Sequence, residues 1–410
     1  MITKLYIANY RSIGEGIELE LGRLSALVGA NGSGKSNIAD ALRFIADCLR
    51  TSVSKALAQR DGIGAVLHAG AAPGRGVELR VDVRNEHGEG FWSVVIVPEG
   101  TAGGFRIERE EGAWGPMPEE WQRSIRQAMN DLDSPADPSA IEEYRREFGG
   151  DRFRFVRAPQ GWQGAPGMVP MAISPHNIAL AGYGQSDGPL THLVAELTGI
   201  AIYSPFPNTL RPPRAPEPVA PMASDGENWA WTLASLDRKT WGSELVAGLQ
   251  RIVGDIDDYE LIKVGQYLVP RFRHKNLAPG GQPQWLYAAQ ESDGTLRVAA
   301  ILTALFQQPS PVLLGFEEPE LAIHPGAIPV LYDFLAEAKE RSQILLTTHS
   351  PDLLDLLPID EVRIVDRRGG TTKVARVEER QRALVKNRLM SASDLVHAEG
   401  LLPEGGRGDG

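Results

Sequence analysis

Gly29-Ala30-Asn31-Gly32-Ser33-Gly34-Lys35-Ser36 is the stretch on which the fold turns. It matches the pattern of a phosphate-binding P-loop at every defining position. Glycines let the backbone curl so that the amides of Asn31, Gly32, Ser33 and Gly34 point inward at phosphate oxygens, and a helix beginning near Lys35 adds the partial positive charge of its N-terminus. Lys35 is then placed to neutralise the β/γ oxygens, and the Ser36 hydroxyl is a ligand for Mg2+. The flanks have the required order. Leu24 to Val28 form a short apolar strand, and Ile38, Ala41, Leu42, Ile45 and Leu49 fall on one face of a helix. Cys48 shares that face and reads as a buried structural thiol; with one cysteine the chain forms no internal disulfide.

Two further apolar runs end in chemistry. Pro311-Val312-Leu313-Leu314-Gly315-Phe316-Glu317-Glu318 reads as a buried strand delivering carboxylates at its end. Glu317 would hold the metal's water shell and Glu318 would orient the attacking water. Gln343-Ile344-Leu345-Leu346-Thr347-Thr348-His349-Ser350-Pro351 is a second such strand, and its His349 stands where a γ-phosphate sensor belongs. Ser292-Asp293-Gly294-Thr295-Leu296-Arg297 opens a helix running through Ala304, with Ser292 as N-cap and the first amides as an anion site.

The remaining pattern places these motifs. Residues 2–8 alternate like an edge strand, and Val77–Val83, Trp92–Val97 and Phe105–Glu108, separated by glycine-rich turns, predict an antiparallel meander. From Pro116 to Gly149 the chain turns polar and helical, with Trp121, Ile125 and Met129 at helical intervals, far too short for a long coiled coil. The proline-rich run Ser204–Ser224 predicts an extended surface connection. Trp229–Leu249 predicts a helix; Tyr259–Val264, Tyr267–Phe272 and Gln284–Ala289 predict strands. Asp255, Asp257 and Asp258 could hold a metal, but read better as a solvated turn.

Composition narrows the class. A formal charge of −11 argues against a protein coated in positive charge, though a local basic stripe could still meet phosphates. No apolar run approaches the roughly 20 residues that cross a bilayer, and the N-terminus lacks a signal-peptide layout, so the expected location is cytoplasmic.

Asn9-Tyr10-Arg11-Ser12, the P-loop, Ser292 to Thr295, Glu317-Glu318-Pro319-Glu320 with Leu321 to Pro325, and Thr348-His349-Ser350 follow one another in ABC-type order. Over nearly its whole length the chain resembles the SMC/RecF/OLD-like branch of ABC ATPases. It is similar to small bacterial AAA-type ATPases, many encoded in phage-defence or DNA-repair contexts. The resemblance implies an α/β P-loop NTPase with an ABC-type core, an antiparallel β subdomain and a helical insertion. It implies ATP and Mg2+ as cofactors, and a homodimer closed head to tail through its ATP sites. Arg11 would lie near the nucleotide, Ser292 and Gly294 would reach the γ-phosphate held by a second copy, and His324 would sit in the loop crossing the seam.

The expected division is an N-terminal ATPase lobe at 1–110, an insertion at 111–230, a C-terminal ATPase lobe at 231–390 and a flexible tail at 391–410. The implied function is an ATP-hydrolysing switch working on DNA or through a nuclease or toxin effector, away from membranes. Glu317 stands where the family usually has Asp, and about 60 residues follow His349, too few for the Toprim domain of OLD-type nucleases. Gln160 and Gln185 are both candidates for the Q-loop glutamine. A self-contained nuclease and a non-hydrolysing adaptor are the rival readings; Ser292-Asp293-Gly294-Thr295, in place of Leu-Ser-Gly-Gly-Gln, disfavours a transporter subunit.

Overall fold

The structure, a computed structural model, describes residues 1–100, 103–116, 152–159, 161–164, 174–183, 188, 190–215, 221–278 and 281–406. The helix expected through Trp121, Ile125 and Met129, and both Gln160 and Gln185, lie outside the described residues. The chain forms two compact units, one of Met1–Leu21, Asp40–Ile200 and Arg367–Val374, the other of Gly22–Ala39, Ala201–Asp366 and Ala375–Gly410.

The first unit is built on a seven-stranded sheet. Its strands are β1 (Ile2–Ala8), β2 (Ile17–Glu20), β4 (Val77–Asn85), β5 (Gly88–Glu99), β6 (Gly104–Gly115), β7 (Phe153–Ala158) and β8 (Gly161–Gly164), in the order β2-β1-β4-β5-β6-β7-β8. Each neighbouring pair is antiparallel. The expected meander is β4-β5-β6, and its third strand runs on to Gly115, well past Glu108. β1 corrects the edge-strand expectation: it is flanked by β2 and β4, with Leu5 opposite both Leu19 and Val81. Alternation along one strand reports its two faces, not how many neighbours it has.

The second unit centres on parallel strands. β3 (Leu24–Val28), β13 (Leu313–Glu317), β14 (Gln343–Thr348) and β15 (Val362–Arg368) belong to a sheet of order β16-β15-β3-β14-β13-β9, where β9 is Ile200–Tyr203 and β16 is Thr371–Arg376. β13 pairs with β14, and β14 and β15 pair with β3, all in parallel. β3 and β14 are buried along their whole length; Leu24, Ala26–Val28 and Ile344–Leu346 supply their apolar stretches, and the polar Ser25, Gln343, Thr347 and Thr348 are buried with them. The helix Asp293–Phe306 is buried from Thr295 to Phe306 and packs in one core with the helices Trp241–Ile252 and Ile328–Ala338. Phe306 joins all three, stacked on Trp241 at 5.7 Å and edge-on to Phe334 at 6.2 Å. A separate antiparallel sheet, β10 (Ile256–Val264), β11 (Tyr267–Ala278) and β12 (Gln282–Tyr287), leads into that helix.

Three local expectations change. Trp229–Leu249 is two helices, Trp229–Ser235 and Trp241–Ile252, because the Asp237 carboxylate takes the Lys239 amide and the Thr240 hydroxyl and turns the chain between them. The described part of Ser204–Ser224 is not simply an extended surface run. Pro207 starts a short helix to Leu210, and Leu210 and Met222 are buried. Residues 391–406 contain the helix Ala392–Ala398, started by a Ser391/Asp394 capping box. The longest helix among the described residues has 16 residues, so no long coiled coil is present there. None of the described helices is long and apolar enough to cross a membrane.

Candidate nucleotide-binding site

Parallel strands end together because their register brings their last residues level. Glu317 of β13 lies opposite Thr347 of β14, and Thr348 lies opposite Val28 of β3. The loop after Val28, the acids after Phe316 and His349 after Thr348 therefore leave the sheet at the same edge. In open α/β sheets that carboxyl edge is where ligands bind.

The loop after β3 has the shape its sequence demands. Gly32 and Gly34 have φ of 77° and 110°, the region glycine tolerates. A Cβ on Gly29 would come 2.1 Å from the Val365 carbonyl oxygen. Helix α1 (Lys35–Arg50) starts at once, with no acidic residue in its first turn to compete for an anion. Lys35 is 5% exposed, and its ammonium donates to Gly29 O at 2.7 Å and Ala30 O at 3.1 Å. Burial pulls its pKa down, while the Glu318 and Glu320 carboxylates oppose that shift. Asn31, Gly32 and Ser36 are exposed at the loop's surface.

The acidic edge is held by specific bonds. Glu318 has a φ of 45°, and its amide donates to Thr347 O at 2.9 Å. Its Oε1 lies 3.1 Å from His349 Nδ1, so the two expected catalytic groups are joined. Arg297 donates from one guanidinium nitrogen to Glu318 O and from another to Pro205 O, each at 2.9 Å. Thr348 Oγ1 donates to Glu320 Oε1 at 2.5 Å; burial pushes the Glu320 pKa up, and the threonine bond opposes it. Sequence reasoning named neither Arg297 nor Glu320 as a site residue. A lone Arg inside the apolar run Leu296–Leu302 was the available signal for the first.

Ser292 caps the helix Asp293–Phe306, accepting from the Thr295 amide at 3.1 Å. Gly294 sits against the loop after the acidic strand, where a Cβ would come 2.4 Å from Ala322 O. His324, in that loop, is exposed and accepts from the Gly326 amide at 3.1 Å. Arg11 belongs to the other unit. There it pairs with Asp40 at 3.0 Å, and Asp40 also receives Tyr10 Oη at 2.7 Å together with Arg43 and Arg60. Asp257 and Asp258 lie on β10 rather than in a turn, paired with Arg273 and Arg238, and Asp255 bonds His274. Among the described residues no group of three or more His, Cys, Asp or Glu side chains could hold a metal.

These residues fit a magnesium nucleotide. The glycine loop leaves no room for a Cβ at Gly29, Lys35 supplies the charge, and the Ser36 hydroxyl and Glu317 carboxylate are hard oxygen donors of the kind Mg2+ takes. The parallel sheet, the P-loop and the acidic strand together define an α/β P-loop NTPase fold.

Comparison with known proteins agrees. Residues 241–355 match the AAA domain family whose description names the AbiEii toxin and the Type IV TA system, and residues 1–65 match an AAA ATPase domain family. A crystal structure of an SMC head bound to the C-winged helix domain of ScpA superposes with a TM-score of 0.53 at 15% identity, covering 93% of this chain and 99% of that one. The SMC head domain from Thermotoga maritima gives 0.43 at 12% identity, over 92% and 99%. An SMC head with an extended coiled coil, bound to the C-terminal domain of ScpA and derived from Pyrococcus furiosus, gives 0.48 at 13%, over 95% and 99%. At 15% identity the first of these likenesses is one of fold alone. No curated protein matches the chain.

Proposed function

We propose that the protein binds ATP with Mg2+, hydrolyses it, and uses the cycle to open and close a head-to-tail pair of copies. The observation that carries this reading is the shared strand edge, where the P-loop, Glu317, Glu318 and His349 emerge side by side. Lys35 and the loop amides would hold the phosphates, and Ser36 and Glu317 would hold Mg2+, which supplies charge neutralisation between the β and γ oxygens. Glu318, fixed by His349 and by its own left-handed backbone, would accept a hydrogen bond from the attacking water. Ser292, Gly294 and His324 would face the second copy.

The physiological setting is proposed to be cytoplasmic and linked to DNA, as in phage defence or repair, with a nuclease or toxin as effector. The toxin–antitoxin wording of the matching family supports that setting. Phosphate release with Mg2+ and ATP tests the core of the proposal: it should fall at least about a hundredfold in Lys35→Ala, which loses the charge facing the β/γ oxygens. Undiminished release in that variant would remove the P-loop assignment. Any DNA binding should be electrostatic and weaken steeply as salt rises. A tight, salt-insensitive preference for one sequence would contradict it.

A further inference from the structure

The run Glu291–Thr295 is held from several sides at once. Glu291 is 5% exposed, and its Oε1 lies 2.8 Å from His274 Nε2. The same ring places Nδ1 2.8 Å from Asp255 Oδ2. His274 is 6% exposed on β11, opposite Ile256 of β10 and Gln284 of β12. One imidazole thus ties the middle strand of the three-stranded sheet to the residue just before the Ser292 N-cap. On the other side Arg211 donates to Glu291 O at 3.1 Å and to Asp293 Oδ1 at 2.6 Å. Gly294 closes the bracket against Ala322 O. Within it, the exposed Ser292 takes the Thr295 amide on its hydroxyl and the Leu296 amide on its carbonyl.

Ionised carboxylates only accept, so the ring satisfies both of them only as an imidazolium, with two N–H donors. Burial opposes that charge, but the hydrogen bonds to Glu291 and Asp255 outweigh it and hold the His274 pKa above its ordinary value. Asp255 and Glu291 are the charged groups facing the ring; Arg211 and Asp293 flank Glu291 from the far side.

We infer that His274 is a positioning residue for Ser292, clamping Glu291 so that the N-cap hydroxyl and the first amides of the helix are aimed at the nucleotide of a second copy. The aim matters only if the proposed ATP-closed pair exists; the clamp itself does not depend on it. The test separates the two.

In full-length His274→Ala, hydrogen exchange of the Thr295 and Leu296 amides should quicken about tenfold while amides of α1 keep their wild-type rates. His274→Gln, which keeps one donor, should recover part of the protection. In the wild type that protection, corrected for intrinsic rates, should hold at the ordinary imidazole value of about 6.5 and decline at higher pH as the ring loses its proton, and His274→Ala should show no such decline. In a Glu318→Gln background, His274→Ala should need at least about tenfold more ATP to close, with affinity for a fluorescent ATP analogue at the P-loop unchanged. Unchanged exchange at Thr295, or a rise spread equally over α1, would overturn the inference, the second by marking His274 as an ordinary core residue. A localised rise in a protein that never closes with ATP would support the clamp and sink the dimer reading.

Discussion

Asp40 shows how much one carboxylate does in the first unit. It is 3% exposed and meets Tyr10, Arg11, Arg43 and Arg60. Burial pushes its pKa up, but the charge and hydrogen bonds of Arg60, the bond from Tyr10 and the charge of Arg43 outweigh that and hold it below the usual carboxylate value. A folded pKa below the unfolded one stabilises the protein above about pH 3.9, and that contribution is lost as pH falls through the folded value. Asp40→Asn removes one of the two carboxylates that hold the buried Arg60, leaving Asp47 at 2.9 Å, and should cost up to about 3 kcal/mol near neutral pH. Thermal melts at neutral and strongly acid pH should show the gap to wild type narrowing in acid; an equal gap at both would refute the assignment. Gly29 makes the matching case in the second unit. Gly29→Ala drives a Cβ into the Val365 carbonyl, so the loop or β15 must shift, at a cost of about 1–3 kcal/mol and with weaker ATP binding in a titration.

At the scale of elements, the helix start at Ser292 and the loop after the acidic strand act as one piece. A Cβ at Gly294 would meet Ala322 O at 2.4 Å, and Arg297, one turn on, holds the Glu318 carbonyl. Gly294→Ala should therefore slow hydrolysis about tenfold while leaving ATP affinity at the P-loop intact, since the P-loop lies on another element. Equal losses in both would mean a general unfolding instead. The elements carrying the motifs were legible because a strand buried on both faces is rich in apolar residues and here ends where chemistry begins, as Leu24–Val28 and Gln343–Thr348 do. What was not legible depends on distant partners. β1 looked like an edge because nothing in Ile2–Ala8 records β4, some 70 residues on. The break at Asp237 needed its carboxylate to choose backbone and hydroxyl partners over solvent. Arg297 could be seen as an oddity in an apolar helix, yet its role lies in two carbonyls far off in sequence.

For the whole molecule the question is whether ATP joins two copies. Among the large apolar side chains that the unit carrying Ser292 exposes are Phe206 at 55% and Leu321 at 50%. Arg297 anchors the carbonyl just before Phe206 and the one three residues before Leu321, so both are presented from a fixed backbone. Apolar anchors beside helix amides suit a partner that brings both a hydrophobic rim and a phosphate, as a second nucleotide-bound copy would. Glu318→Gln keeps the size of the side chain and loses the carboxylate that positions water, so ATP should bind, join the copies and remain uncleaved. Light scattering should then show the mass doubling when ATP and Mg2+ are added to this variant. Adding Ser292→Arg should abolish the doubling, because a long side chain at the N-cap blocks the approach of the other copy's phosphates. A Glu318→Gln protein whose mass is the same with and without ATP, or a double variant that closes normally, would sink the shared-site mechanism. If copies were already joined through another surface, the deciding measurement would move to turnover. Ser292→Arg alone should then lose hydrolysis while the mass stays constant, and full turnover in that variant would be equally fatal to the proposal.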